Sequence, residues 1–253
     1  MNFASLQKIA SLYIARKKTF VFVARMKAQQ LRSSDALGKV SLYGDLFDVD
    51  SRSVVSEGIP SLSSLKIIVS ALMRLQGPSF SSGLAVDCGA NIGTYSIYFS
   101  QFFSRVVAFE PFPPTYHLLR LNVNGIENIE IRETALSSDC DKGVMARYRQ
   151  FHSGSASLLD SDLKRNVGER FIVTKSTLDS ELCNQPLPIK LIKIDVEGHE
   201  LEVLKGATTI IKRDRPAIVF EYNEKQSFAF RVTFGFRLLK FSFANSLIIE
   251  NFF

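Results

Sequence analysis

The 253-residue chain has few cysteines and no long apolar run. Its three cysteines (Cys88, Cys140 and Cys183) are odd in number and form no C-x-x-C pair, so neither a disulfide framework nor a zinc site is indicated. No apolar run reaches the ~18 residues of a membrane-spanning helix. With 46% hydrophobic and 22% charged residues, the composition is typical of a folded chain rather than a disordered one. We therefore expect a folded protein in a reducing compartment such as the cytoplasm.

Acidic residues are absent from the first 34 positions, where the basic residues are Lys8, Arg16, Lys17, Lys18, Arg25, Lys27 and Arg32. The remainder of the chain carries 24 basic and 25 acidic side chains, so the net charge of +6 belongs to this N-terminal arm. A body without excess positive charge argues against a nucleic-acid partner. Apolar residues interleave with the basic ones at roughly helical spacing, which predicts a helix. Such a helix would either pack on the domain or make a peripheral contact with a membrane surface.

Three regions follow from the pattern along the chain. After the arm (1–34), residues 35–83 predict a small subdomain of short strands and one helix. From Leu84 to the end, strands alternate with helices, which predicts an α/β fold with a doubly wound, mostly parallel sheet. The last 18 residues predict an antiparallel hairpin at its edge, and residues 137–190 predict an inserted antiparallel segment over the sheet. We expect one continuous helix from about His199 to Lys212.

A turn of small residues, from Asp87 to Gly93, connects the first of these strands to its helix. Gly89 and Gly93 let the backbone turn tightly and approach a ligand, and Asn91 tolerates a left-handed conformation better than most residues. The turn is neither a G-x-G-x-x-G loop nor a P-loop, because Asn91 replaces the middle glycine and no Gly-Lys-Ser/Thr follows. By itself, this turn fits either a ligand site or a purely structural bend.

Glu110 ends the next strand, 23 residues after Asp87. A carboxylate at about this spacing, at the carboxyl end of a second strand, is typical of a residue that holds ribose hydroxyls. The turn and Glu110 together favour a cofactor that carries adenosine.

A cluster of ionisable residues lies at the end of a later buried strand, from Lys193 to Glu200. Ligands of open α/β sheets bind beyond such strand ends, so Lys193, Asp195 and His199 are candidates for catalysis or substrate binding. They could equally hold strand and helix together. Asp195 with Glu221 and Asn223 offers oxygen ligands suited to Mg²⁺, but we expect no metal as the main hypothesis.

Eight segments, in this order, resemble the FkbM family of S-adenosylmethionine-dependent methyltransferases: VDCGANIG (86–93), VAFEPFPP (107–114), LNVN (121–124), ETALS (133–137), TLD (177–179), IKIDVEGHE (192–200), VLKGA (203–207) and PAIVFE (216–221). The resemblance implies a class I methyltransferase-like (Rossmann-like) fold. It covers about residues 84–222, and IKIDVEGHE is its most specific part. The basic arm has no counterpart in it.

The resemblance implies S-adenosylmethionine as cofactor. It implies that the methionine part is surrounded by Asp87, Gly89, Asn91 and Gly93, that Glu110 takes the ribose hydroxyls, and that Ala135 and Leu136 flank the adenine. The implied reaction is O-methylation of a hydroxyl on a sugar, glycan or natural-product acceptor. Asp195 or His199 would accept the hydroxyl proton, and Lys193 would hold Asp195 or an anionic group. The alternatives are an NAD(P)-dependent Rossmann oxidoreductase and a non-catalytic binding module on the same fold.

Overall fold

A computed structural model describes residues 23–27, 41–45, 69–70, 72–74, 77–148, 156–158, 167–221, 238–240 and 246–249. The strands are β1 Val23–Lys27, β2 Ser41–Asp45, β3 Leu84–Cys88, β4 Arg105–Phe109, β5 Ile129–Arg132, β6 Ala135–Leu136, β7 Lys142–Tyr148, β8 Ala156–Leu158, β9 Val167–Ser176, β10 Ile189–Ile194, β11 Ala217–Glu221, β12 Leu238–Lys240 and β13 Ser246–Ile249. The helices are α1 Thr94–Ser100, α2 Pro113–Asn122, α3 Leu178–Leu182, α4 Glu200–Lys205 and α5 Thr208–Asp214, with a 3-10 turn at Pro78–Phe80.

The main sheet has seven strands in the order β12-β13-β11-β10-β3-β4-β5. The five from β11 to β5 are mutually parallel, whereas β13 runs antiparallel to both β11 and β12. This confirms the predicted α/β doubly wound, class I methyltransferase-like sheet with its C-terminal antiparallel hairpin.

The direction of winding reverses between β3 and β10. From β3 the chain builds outward through β4 and β5, and it then returns to add β10 and β11 on the other side of β3. Open α/β sheets bind ligands at such a switch point, in the crevice outside the carboxyl ends of the strands. The fold therefore places its principal crevice at the ends of β3 and β10.

Strands β3, β4 and β10 are almost wholly buried because both faces of the sheet are covered. Side chains alternate between two cores: Ala85 and Leu191 pack with Phe80 and Phe99 on one face, whereas Val86 and Ile192 join the other. By the same alternation Asp87 and Lys193 point toward the face of Ala85 and Leu191. Two charged side chains are thereby placed on the side of an apolar core.

A second sheet, of order β6-β9-β7-β8, is formed by the segment that sequence analysis predicted as an insertion. Pairing of β7 with β9 is antiparallel as expected, but β6 is parallel to β9, so the sheet is mixed and takes in Ala135 and Leu136 just before the predicted boundary. Met145 and Val173 from this sheet pack with Phe112 in a third, smaller core.

The single helix predicted from His199 to Lys212 is wrong, because the structure has two helices, α4 and α5. The carbonyl of Gly206 accepts a hydrogen bond from the N–H of Asp179, at 2.8 Å. The Asp179 carboxylate then accepts from the first N–H groups of α5, those of Thr209 and Ile210, at 2.9 Å each. A residue distant in sequence therefore ends one helix and caps the next.

The helix predicted in the basic arm is wrong at residues 23–27, which form β1 and pair antiparallel with β2. Strand pairing depends on a partner from outside the segment, which helical periodicity does not reveal. The rest of the arm lies outside the described residues, as does much of the subdomain predicted at 35–83, in which 41–45 form β2 and 69–70 and 72–74 are helical. Within the described part of the chain, no helix has the length and apolarity to cross a membrane.

Gly206 generates a prediction about stability. A Cβ at this position would lie 2.0 Å from the carbonyl oxygen of Ser137, so the two backbones must move apart in a Gly206→Ala variant. We expect a loss of about 1–3 kcal/mol in the free energy of unfolding, as for an overpacked core. Thr209→Ala, on an exposed position of α5, is the control and should change this free energy by no more than ~0.5 kcal/mol. Equal stability of the two variants in urea unfolding would contradict the close contact.

Candidate active site

Three neighbouring strands bring the predicted site residues together at the carboxyl edge of the sheet. Asp87 is in register with Lys193 of β10, and Glu110 directly follows β4. Asp195 directly follows β10, and its N–H donates to the carbonyl of Cys88 at 3.0 Å. Residues that are far apart in sequence therefore converge on the switch point.

The turn after β3 holds three residues with positive φ: Gly89 at 76°, Asn91 at 50° and Gly93 at 93°. A Cβ on Gly89 would lie 1.8 Å from the carbonyl oxygen of Asp195, so only glycine permits the turn to press against the end of β10. A Cβ on Gly93 would lie 2.7 Å from the Leu119 side chain. The two glycines are thus required by close packing as well as by backbone conformation.

Asp87 and Lys193 form an ion pair beneath this turn. Nζ of Lys193 lies 3.1 Å from Oδ1 of Asp87, and the Ser96 hydroxyl donates to Oδ2 at 2.6 Å. Asp87 is fully buried and the Lys193 side chain is 7% exposed. Two opposite charges withdrawn from water depend on one another, because either would be strongly destabilising if left alone.

Lys193 also contacts the turn directly. Its ammonium donates to the carbonyl of Gly89 at 2.8 Å, lies 3.6 Å from Oδ2 of Asp195 and sits 4.9 Å from the centre of the Tyr95 ring. Burial acts to lower the pKa of Lys193, but the Asp87 and Asp195 carboxylates outweigh it and hold the pKa above its usual range. Lys193 is therefore a permanent cation that joins both strand ends to the turn.

Glu110 is buried, and both of its oxygens accept backbone hydrogen bonds. Oε2 accepts from the N–H of Asn91 at 2.9 Å, and Oε1 accepts from the N–H of Phe112 at 3.0 Å. Burial raises the pKa of Glu110 to about 7, although these two hydrogen bonds act in the opposite direction. The carboxyl group consequently changes its charge near neutral pH.

Glu200 shapes the turn between β10 and α4. Its Oε1 accepts from the N–H groups of Val196, at 3.3 Å, and Gly198, at 3.0 Å. Glu197 and Gly198 both have positive φ in this turn. The buried carboxylate thereby supports the backbone that carries Asp195 into the crevice.

His199 occupies the N-cap position of α4. Its Nε2 lies 3.1 Å from the hydroxyl oxygen of Ser137, which follows β6. The ring is partly exposed, whereas Ser137 is buried. His199 thus stands where α4 meets the second sheet.

One cleft is lined by seven of the predicted site residues: Gly89, Asn91, Glu110, Ala135, Leu136, Asp195 and His199. Asp87, Gly93 and Lys193 do not line it. The structure therefore separates a group that faces the cleft from a group that supports it from below.

Several cleft and supporting residues were missed by sequence analysis. Met145 and Leu158 line the cleft from the second sheet, and no local pattern could have marked them because their place depends on how that sheet packs. Ser96 and Ser137 bind Asp87 and His199, respectively. Ser96 lies on the first helix after the turn. Its position on the helical face toward the sheet could have been predicted from the spacing of the apolar residues around it.

The alternative metal site at Asp195, Glu221 and Asn223 is only partly covered by the described residues. The register of β10 and β11 continues to place Asp195 beside Glu221, but Asn223 lies outside the described residues. Within the described ranges, no three or more His, Cys, Asp or Glu side chains are grouped so as to hold a metal ion.

Comparison with known proteins agrees with the resemblance. The family model described as the methyltransferase FkbM domain matches residues 87–246. Methyltransferase sdnD of Sordaria araneosa is 27% identical over 158 residues, which are 50% of this chain and 61% of sdnD. Hexuronic acid methyltransferase AglP of Haloferax volcanii is 33% identical over 137 residues, which are 50% of each chain.

The matched regions thus span only about half to three fifths of these two relatives. A solved structure, that of methyltransferase FkbM from Methylobacillus flagellatus KT, aligns with a TM-score of 0.46 and 17% identity, over 67% of this chain and 44% of that one. Because the family model covers more than half of the chain, the chain belongs to the FkbM methyltransferase family, and the predicted cofactor, S-adenosylmethionine, follows from that membership.

Proposed function

We propose that this protein transfers the methyl group of S-adenosylmethionine to a hydroxyl oxygen of a sugar, glycan or natural-product acceptor. The observation that carries the proposal is the shared cleft: residues suited to the cofactor and two residues able to accept a proton line the same space. Methyl transfer to a hydroxyl needs both sets of residues at once.

The cleft residues fit the parts of the cofactor. A carboxylate offers about four lone-pair positions, and Glu110 uses one on each oxygen for backbone N–H groups. Each oxygen can therefore also accept a hydrogen bond from one ribose hydroxyl. Ala135, Leu136 and Met145 supply an apolar surface suited to the adenine ring.

Gly89 and Asn91 would lie against the methionine part. Asp87, Lys193 and Gly93 act one layer below, where they hold the turn in shape. Lys193 is then a positioning residue rather than a group that touches the acceptor.

The cofactor, when bound, supplies an activated methyl group. The protein must align the acceptor oxygen with it and take up the hydroxyl proton. Asp195, whose side chain is 36% exposed, and His199 are the cleft residues able to do so. Either of these two side chains could accept the proton.

The similarity to AglP supports a sugar as acceptor, since that protein is named for a hexuronic acid. We would therefore incubate the protein with S-adenosylmethionine labelled in the methyl group and a panel of hydroxyl compounds that includes hexuronic acids. Label transferred to an acceptor oxygen supports the proposal. Binding of NADH in place of S-adenosylmethionine would favour an oxidoreductase, and cofactor binding without transfer to any compound would favour a binding module.

Glu110 makes cofactor affinity depend on pH. Ribose hydroxyls donate to the ionised carboxylate, so affinity for S-adenosylhomocysteine should rise as the pH increases toward about 7 and level off above it. In the Glu110→Gln variant, affinity should fall by roughly ten- to a hundredfold at pH 8, because charge-assisted hydrogen bonds are lost, and the pH dependence should disappear. Isothermal titration calorimetry between pH 6 and 8 measures both effects.

Glu127→Gln is the matched control, because Glu127 is exposed and lies away from the cleft. It should bind like the unaltered protein at every pH. Unchanged affinity of Glu110→Gln would remove Glu110 from the cofactor site.

Two variants test the proton acceptor. Asp195→Asn keeps the shape of the side chain, and His199→Gln keeps a polar side chain of similar length; neither amide is an effective base. Replacement of the true base should lower turnover by ~100-fold or more, while affinity for S-adenosylhomocysteine stays nearly unchanged. If neither variant slows transfer to an acceptor found in the panel, the base lies elsewhere.

We also propose, as the alternative to packing on the domain, that the basic arm makes peripheral contact with an anionic membrane surface. A lysine or arginine near such a surface contributes about 1 kcal/mol at most, and salt weakens the attraction. On this alternative the unaltered chain should co-sediment with phosphatidylserine vesicles at low salt, and a variant with Lys8, Arg16, Lys17 and Lys18 changed to Gln should not. A control with Lys142, Lys190, Lys205 and Lys212 changed to Gln should still co-sediment, and its loss from the vesicles would contradict a role specific to the arm. If the unaltered chain does not sediment with the vesicles, packing on the domain is the better interpretation.

A further inference from the structure

We infer that Ser137 is a positioning residue for His199 and that this pair, rather than Asp195, accepts the proton of the acceptor hydroxyl. The inference includes the direction of their hydrogen bond: we assign Nε2–H of His199 as the donor and the Ser137 hydroxyl oxygen, 3.1 Å away, as the acceptor. The inference deepens the proposed function and rests on it.

Ser137 is a fixed point in the fold. It is 2% exposed, and its N–H donates to the carbonyl of Ser176 at 2.9 Å, which continues the pairing of β6 with β9. Its hydroxyl oxygen lies 3.1 Å from Nε2 of His199. A buried hydroxyl with a rigid backbone can hold a partly exposed ring in one orientation.

Helix α4 is docked on Ser137 and its neighbour along its whole length. His199, at the start, meets the Ser137 side chain, and Glu202 accepts from the Ser138 hydroxyl at 2.5 Å. Gly206, at the end, packs so closely on the Ser137 carbonyl that a Cβ would lie 2.0 Å from it. Helix α4 is therefore held against residues 137–138 at its start, its middle and its end, so its position does not depend on any one of these contacts.

The contact fixes the orientation of a ring that lines the cleft. In the tautomer that we assign, Nε2–H donates to Ser137 and Nδ1 is the nitrogen that takes the proton of the acceptor hydroxyl. As the acceptor oxygen bonds to the methyl carbon and the methyl–sulfur bond breaks, the sulfur keeps that electron pair. The oxygen loses its proton to Nδ1, and the resulting imidazolium still donates from Nε2 to Ser137, whose hydroxyl oxygen is an acceptor for it.

Asp195 is less suited to this role because the nearby Lys193 ammonium stabilises its carboxylate and makes it a weaker base. Its Oδ2 lies 3.6 Å from Nζ of Lys193, which also joins the two strand ends. A histidine, with an ordinary pKa of about 6.5, is also closer to the pH at which a general base works best. Asp195 then serves to complete the charge balance around Lys193.

Nuclear magnetic resonance of the imidazole nitrogens tests the pair without an acceptor. The chain has only three histidines (His117, His152 and His199), so ¹⁵N-histidine labelling yields few signals, and His199→Gln assigns the relevant one. With or without S-adenosylhomocysteine, His199 should show one tautomer, protonated at Nε2. Ser137→Ala should shift its signals toward the mixture of tautomers of free histidine and change its titration.

Ser138→Ala is the matched control, since it removes a hydroxyl that binds α4 without touching the ring; it should leave the His199 signals unchanged. Ser137→Cys, which keeps the volume but donates and accepts weakly, should behave as Ser137→Ala does and guards against a packing effect. The inference is overturned if His199 is protonated at Nδ1 in the unaltered protein, or if its signals are the same in Ser137→Ala.

Kinetics supply the second readout. With an acceptor from the panel, Ser137→Ala should lower kcat by roughly tenfold and shift the pH profile, while KM for S-adenosylmethionine changes little. Loss of turnover in Asp195→Asn but not in His199→Gln would overturn the inference and leave the proposed function intact. Failure of the unaltered protein to bind S-adenosylhomocysteine or to methylate any acceptor would instead refute the proposed function, while the tautomer of His199 would still be measurable.

Discussion

The ion pair between Asp87 and Lys193 is the interaction on which the architecture of this site depends. The two residues are direct neighbours in the register of β3 and β10, at the switch point of the sheet. Both are withdrawn from water, and loss of one partner from such a pair costs on the order of 3–5 kcal/mol. Because Lys193 also binds the Gly89 carbonyl, the same charge that joins the strands holds the turn that lines the cleft.

The arrangement explains why the turn needs glycine at one exact place. Gly89 lies between the Lys193 ammonium and the carbonyl of Asp195, with no room for a side chain. A bulkier residue would separate the turn from β10 and lengthen the contacts of Lys193. Backbone conformation, packing and electrostatics therefore impose the same requirement on this residue.

The cleft is completed by a second sheet that the core of the fold does not require. Met145 and Leu158 come from that sheet and face the ends of the main strands. Helix α4 connects the main sheet to the second sheet, because it binds Ser137 and Ser138. Asp179 connects α3 to α5 by accepting a hydrogen bond from Thr209. The second sheet therefore contributes to the cleft without taking part in the contacts that hold the turn after β3.

The sequence by itself determined the main sheet and most of the cleft, because these depend on local signals. The alternation of strands and helices after Leu84 was enough to predict the parallel sheet, since short apolar runs such as that of Ala217–Glu221 are strong patterns. The glycine turn and Glu110 could likewise be recognised from the number of residues between them in the sequence. Assignment of the cofactor rested on the order of eight segments, which a single local pattern could not have provided.

Only the tertiary structure decided features that arise between distant segments. The break between α4 and α5 comes from hydrogen bonds with Asp179, and β1 forms because β2 pairs with it. Asp87 appeared in the sequence as a residue for the cofactor, yet it is buried against Lys193. Ser137 appeared in the sequence only as the last residue of the ETALS segment and without a role, because the role of a hydroxyl depends on the partner that folding places 3.1 Å away.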